Sequence, residues 1–498
     1  MVKKNIISIY LRSSLIVFIS LTAYFFFLFF SKNVPLSWDD SFFMLVSRNV
    51  AFIGHYGTMH KLFDPSITVG FPVILPTALI FKVLSMGPFQ ERLATCAYLV
   101  GFLNLVYFLP RKVRLLSVGE ALLCLGLFVV LSFTNVANLL LLVFNAYGEI
   151  PALFFYFLAL LYQNTFFLKR RYGYLILSGI FLGLSISTKY IMIFAAISSL
   201  MTCMMFFRLS WKKSFIGVIC LITGILIPVF AFEFYHLIRV GIPQYIVDVG
   251  DLVRYYGNVD LELFDIRPIS QSNFLNHLHV LRVHGFNVIA PFLFVITSIY
   301  LIVASIKSKN YILVNICCMF VFVFIYFFFI SHNLLIRHLS IAIIGFNFAV
   351  ALFVVSRASK IGVEISRKKG IAMFEFVILI LFAALFSSPG IFKANTRIID
   401  YQKAVGEQKK ISAFISNSGV NNVYYDRYDR TPEIEFLSKK MFLWLPNRSK
   451  HISNGKTKDF LIMTQLRLRT DPDGYNRLKN QYCKRVLRQT YYYLVCRM

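Results

Sequence analysis

Two adjacent carboxylates, Asp39 and Asp40, follow Trp38 directly after an apolar stretch near the start of the chain. A carboxylate can serve as a general base, but an acidic pair is also cheap when solvated, and Asp40 suits the cap of the amphipathic stretch 42–53 that ends at Gly54. A third acid, Glu149, stands in Asn145-Ala-Tyr-Gly-Glu-Ile-Pro151, where the positive end of a helix dipole would favour it. Lys189 closes the run Gly183-Leu-Ser-Ile-Ser-Thr188, and a lysine so placed snorkels or faces a cavity. Arg92 and the pair Arg337-His338 each open an apolar run. Taken singly, each cation reads as an interfacial anchor. Their chemical interest depends on whether the elements between them bring them to one face.

Those elements are membrane spans. Hydrophobic residues make up 58% of the 498 and charged residues only 15%, far from soluble proportions. Apolar runs such as Leu15–Phe30, Phe215–Phe232 and Cys318–Ile330 recur, and a bilayer-spanning helix takes about 20 such residues. The net charge of +28 would suggest nucleic acid in a soluble protein. Here it is better read as basic loops on the cytoplasmic side, with no nucleic-acid partner.

The basic clusters set the topology. Lys3, Lys4 and Arg12 put the N-terminus inside. Arg111-Lys112-Arg114, Lys169-Arg170-Arg171, Arg208-Lys212-Lys213, Lys307-Lys309 and the segment Arg357 to Lys369 then all belong inside. This holds only if the apolar stretch Pro72–Leu84, with two prolines and Lys82, lies flat on the outer surface instead of spanning. The expected spans are roughly 10–30, 93–110, 115–132, 150–168, 173–188, 190–207, 214–236, 286–306, 311–331, 335–356 and 371–388. That is about eleven helices, with the C-terminus outside. The reading is an all-α polytopic membrane protein in two parts. A membrane domain, 1–389, holds a first outer loop (31–92) and a second (237–285); a small α/β domain, 390–498, lies outside the cytoplasm. In the tail an amphipathic stretch, Ile398–Ile415, precedes strand-like runs at Val423–Tyr425, Phe460–Met463 and Tyr491–Val495.

This topology gathers Asp39, Asp40, Glu149, Lys189, Arg92, Arg337 and His338 on the outer face, with the acidic loop at headgroup level. The second outer loop adds Arg239, Asp248, Asp251, Arg254, Arg267, Arg282 and His284, most of which read as solvated. Cys483 and Cys496 lie in the polar tail and could pair in an oxidising compartment; the other six cysteines sit in apolar runs and read as inert.

The order of these motifs resembles the GT-C membrane glycosyltransferases, and most closely the glycosyltransferase 39 type, which includes protein O-mannosyltransferases and lipid A aminoarabinose transferases. The matching segments are Trp38-Asp39-Asp40, Thr68–Pro72, Tyr147–Ala152, Gly179–Lys189 and Arg337–Leu339, covering most of 1–360. The resemblance implies a polyprenyl-phosphate sugar donor, a glycan, lipid or protein acceptor, and transfer on the outer face of the plasma (bacterial inner) membrane. It implies Asp39 as the catalytic carboxylate, Asp40 in support, and Glu149 as the further acid. Some relatives carry Glu-Lys-Pro-Pro where this chain has Val69-Gly-Phe-Pro72, so that lysine is absent here. The phosphate role then falls to Lys189, Arg337, Arg92 or His338. Because a phosphate leaves readily as an anion, the chemistry asks for a base and for cations more than for a strong acid. A divalent metal could assist, and no residue pattern identifies one. The rival readings are a lipid-linked sugar flippase, which needs ionisable residues in mid-span, and an O-antigen polymerase or ligase, which does not need the acidic pair.

Overall fold

The structure, a computed structural model, describes residues 18–29, 31, 38–57, 69–113, 115–134, 148–206, 211–259, 290–330, 337–363, 405–420, 422–425, 433, 437–438, 442–444, 459–464, 472–489 and 493–497. At Trp38, Asp39, Asp40, Arg337 and His338 it describes the backbone alone.

Among the described residues the membrane part is built of helices. In chain order its helices are α1 (18–29), α2 (Trp38–Ile53), α3 (Phe71–Leu84), α4 (Pro88–Lys112), α5 (Val118–Thr134), α6 (Glu149–Lys169) and α7 (Gly173–Thr188). They continue with α8 (Ile193–Phe206), α9 (Trp211–Val240), α10 (Ile242–Val259), α11 (Ala290–Lys307), α12 (Tyr311–Ile325) and α13 (Arg337–Val363). Five described helices are long and apolar enough to cross a bilayer: α4, α6, α9, α12 with its π-helical extension, and α13. The shorter apolar helices α1, α5, α7, α8 and α11 fall where the sequence predicts further spans. The predicted span 371–388 lies outside the described residues. Local signals explain the ends. Ser117 and Glu120 form a reciprocal capping box at α5, with Ser117 N–H donating to Glu120 Oε2 at 2.6 Å. Asn310 Oδ1 accepts from Leu313 N–H at the start of α12.

Small residues and buried hydroxyls let the helices approach. Gly179 of α7 faces Gly224 of α9 so closely that a Cβ at either would meet backbone of the other. Ser178 and Ser185 of α7 donate to the Ala159 and Ala152 carbonyls of α6, at 2.8 and 2.7 Å. Deeper in the bundle, Asn315 of α12 accepts from Tyr156 Oη at 2.7 Å and donates to Gln163 Oε1 and Ser199 Oγ at 3.0 and 2.9 Å. That network binds α6, α8 and α12 at a depth where no water is available to satisfy them.

Two expectations need correction. The first amphipathic helix starts at Trp38, so Asp40 lies in its first turn and does not cap it. The second outer loop opens as helix, with α9 running to Val240 and α10 following after Gly241. Asp248, read as solvated, is buried there.

The tail carries a five-stranded sheet, β1 (Asn422–Tyr425), β2 (Phe442–Trp444), β3 (Asp459–Thr464), β4 (Arg485–Gln489) and β5 (Tyr493–Arg497), in the order β2-β1-β3-β5-β4. β1 is parallel to β2 and β3; β5 is antiparallel to β3 and β4. Alternation along β3 sends Phe460 and Ile462 to one face, against Ile411 and Ile415 of α14 (405–417). Leu461 and Met463 go to the other, against Tyr475 of α15 (Pro472–Tyr482). A disulfide joins Cys483 to Cys496, a pairing the sequence left open.

Candidate active site

Three chain segments meet at one end of the bundle. α6 begins at Glu149 and α7 ends at Thr188, so two antiparallel neighbours place Glu149 and Lys189 side by side. Lys189 Nζ lies 3.3 Å from Glu149 Oε1, and both side chains are almost wholly buried, at 7% and 2% exposure. The third segment is Val69-Gly70, which leads into α3. Gly70 N–H donates to the Thr188 carbonyl at 3.3 Å. A Cβ on Gly70 would overlap the Ser187 carbonyl, so this position admits no side chain. Gly148 has φ +79° and lies against Val69 and the Lys189 stem, which makes glycine the residue the turn requires. Lys189, at the end of α7, reaches into the same junction, its stem against Gly148.

The first outer loop is clamped onto this junction from several sides. Tyr98 of α4 donates to the Pro72 carbonyl at 2.6 Å. Phe71 stacks on Phe232 of α9, with ring centres 5.0 Å apart. Arg239 donates to the Gly54 carbonyl at 2.7 Å. Phe42, Phe43 and Val46 of α2 pack with Val69, Val73 and Ile74. The helix whose first turn holds Asp39 and Asp40 is thus fixed to the segment that touches Thr188. On its other side Leu437 of the tail packs with Met44, Leu45 and Phe81.

The predicted site residues divide into groups. Glu149 and Lys189 are brought together as an ion pair. Arg92 is buried in the first turns of α4 and donates to the Ser31 carbonyl, closing the start of the first loop. Asp39 and Asp40 lie on the first turn of α2, and Arg337 and His338 on the first turn of α13. Among the described residues no cluster of three or more His, Cys, Asp or Glu side chains could hold a metal ion; the side chains of Asp39, Asp40 and His338 stand outside that description.

Sequence reasoning missed a second buried polar group. His236 near the end of α9 has Nε2 3.2 Å from Asp248 Oδ2 and Nδ1 3.5 Å from Glu233 Oε2. Gln244 and Tyr245 of α10 donate to Asp248 and Glu233 at 2.8 and 3.2 Å. The cluster staples α10 back onto α9. Its signal was faint, because these residues stand among many polar ones.

No protein-family model matches the chain, and no curated protein matches its sequence. Solved structures do match. The helical bundle, with two short helices after the first and a small domain at the end, is the GT-C architecture of polytopic membrane proteins. Across nearly its whole length it is similar to ArnT from Cupriavidus metallidurans. The crystal structure of that protein bound to undecaprenyl phosphate matches over 97% of each chain, with TM-score 0.63 and 12% identity. The apo structure of the same protein matches over 98% of each chain, with TM-score 0.60 and 13% identity.

Proposed function

We propose that the protein is a membrane glycosyltransferase that moves a sugar from a polyprenyl-phosphate donor to an acceptor on the outer face of the plasma membrane. The observation that carries this reading is the buried Glu149–Lys189 pair, set where the first outer loop meets the ends of α6 and α7. A cation held there, away from water, is suited to a phosphate that becomes fully anionic as the sugar leaves. ArnT, with the same fold, has been crystallised with undecaprenyl phosphate, which is the kind of group such a cation would meet.

In this reading Asp39 takes the proton of the acceptor hydroxyl, and the oxygen attacks the anomeric carbon from the face opposite the phosphate, inverting it. Asp40 supports Asp39. Lys189 balances the departing phosphate, with Arg337, His338 and Arg92 as further cations of that face; Glu149 holds Lys189 when no donor is bound. The N-terminus lies in the cytoplasm and the Cys483–Cys496 disulfide outside it, in keeping with an oxidising compartment. The acceptor is a glycan, a lipid or a protein. A flippase would need charged groups along its spans. The charged side chains buried in the described membrane part (Glu91, Arg92, Glu149, Lys189, His236 and Asp248) avoid the middle of every membrane-length helix.

The test is transfer from radiolabelled polyprenyl-phosphate sugars by membranes carrying the protein or Asp39→Asn. General-base loss should reduce transfer by about 10²–10⁴-fold with membrane insertion unchanged. Near-normal transfer by Asp39→Asn removes that residue's role. Movement of intact lipid-linked sugar across vesicles, with no transfer, returns the flippase.

A further inference from the structure

The opposite end of the bundle holds a cavity of about 480 Å³ between α11, α12, α13 and the turn after α4. Lys307 and Arg357 stand on its rim, and among the described residues neither has a carboxylate partner. Ser308 and Ser356 line it as well. Ser305, also in its wall, is only 1% exposed, and its hydroxyl has no hydrogen-bond partner among the described residues. Arg357 lies over the Phe353 ring, 5.4 Å from its centre, which leaves its charge without a counter-ion among the described residues. A buried hydroxyl beside two cations that lack a described carboxylate partner is arranged for an acceptor with several oxygens and negative charge.

The rest of the lining says where that acceptor comes from. Leu115, Tyr300 and Val303 line the cavity and are each at least a third exposed. Val303 continues a row on α11 with Ile296 and Ile299, both more than half exposed, at helical spacing. Such a row faces acyl chains in a bilayer. The cavity thus opens sideways towards lipid, at the end of the bundle where Lys112, Lys169, Lys212 and Lys213 gather.

We propose that this cavity binds the phosphate headgroup of an anionic phospholipid from the leaflet on that side. Lys307 and Arg357 clasp the phosphate, Ser305 donates to one of its oxygens, and the chains run along Tyr300, Val303 and the α11 row. The site is separate from the Glu149–Lys189 junction and does not depend on the reaction assigned there.

Native mass spectrometry of the full chain, titrated with phosphatidylglycerol, tests this. The double variant Lys307→Gln/Arg357→Gln should bind about tenfold more weakly, the loss expected for about 1.4 kcal/mol of charge-assisted bonding. Ser305→Leu, which fills the cavity, should weaken binding similarly. Lys212→Gln/Lys213→Gln, exposed basic residues at the same end, should leave it within twofold. Equal loss in that control means diffuse attraction and overturns the proposal. So does equal binding of phosphatidylcholine, which means an apolar groove, or displacement of the lipid by equimolar inorganic phosphate, which means a free-anion site.

Discussion

Removing one charge of the buried Glu149–Lys189 pair should cost far more than removing both. At an effective dielectric near 20, charges 3.3 Å apart attract by roughly 5 kcal/mol, and much of that is offset by the desolvation of both groups. Lys189→Met takes from Glu149 the cation 3.3 Å from its carboxylate, in a buried site beside Val69 and Gly148, at a cost of about 3–5 kcal/mol. Glu149→Gln leaves the lysine in the same position, with a similar cost. The double variant is neutral and should recover most of the stability, giving a coupling energy of at least ~2 kcal/mol. Unfolding of the purified chain in detergent measures all four proteins, and transfer assays run beside it. Transfer should behave differently. Both the single lysine variant and the double should lose about 10²-fold or more, because each lacks the cation proposed to meet the phosphate. If the two single variants are mild and additive, the pair is an incidental interfacial contact. If the double variant regains transfer along with stability, Lys189 is structural and the phosphate is held elsewhere.

Further outcomes follow from other parts of the structure. Gly70→Ala should lift the first loop from the Ser187 carbonyl, costing about 1–3 kcal/mol and raising protease cleavage of that loop, with transfer reduced in step. Glu433 in the tail is buried and accepts from Tyr493 Oη at 2.9 Å. Burial pushes its carboxyl up to about 7, against the lowering effect of its hydrogen bonds. The native state then keeps a proton that the unfolded chain loses near pH 4.5, so stability falls from pH 4.5 to 7 and is flat above. The drop is about 3 kcal/mol, and thermal unfolding of Glu433→Gln should lack it. After reduction, Cys483, the half-buried partner of the wholly buried Cys496, should react with a membrane-impermeant maleimide on intact cells; labelling only after permeabilisation would invert the proposed topology.

Hydropathy made the helices legible, and one of them, Gly173–Thr188, matches its expected bounds to the residue. The stretch after Gly70 is a helix, Phe71–Leu84. Glu149 and Lys189 could be named from their motifs, but not their pairing. Contact between residues forty positions apart arises from antiparallel packing of α6 on α7, which no local period encodes. The His236–Asp248 cluster escaped for a related reason, since its partners sit on two helices separated by a turn at Gly241. In the tail, β1, β3 and β5 announced themselves by apolar runs. β2 has three residues, and β4 is an exposed edge carrying Arg485 and Arg488, so neither has a readable apolar face.

The bond from Gly70 to Thr188 also orders events during synthesis. The first loop leaves the ribosome more than a hundred residues before its anchor exists, an interval of roughly 6–24 s at ordinary translation rates. Tyr98 arrives early enough to hold Pro72, but Phe232 and Arg239 come later still. For that time α2 and α3 lack the contacts that Thr188, Phe232 and Arg239 supply. A nascent chain halted before α7 would already contain Asp39 and Asp40, yet the ledge that fixes their helix would not have been made.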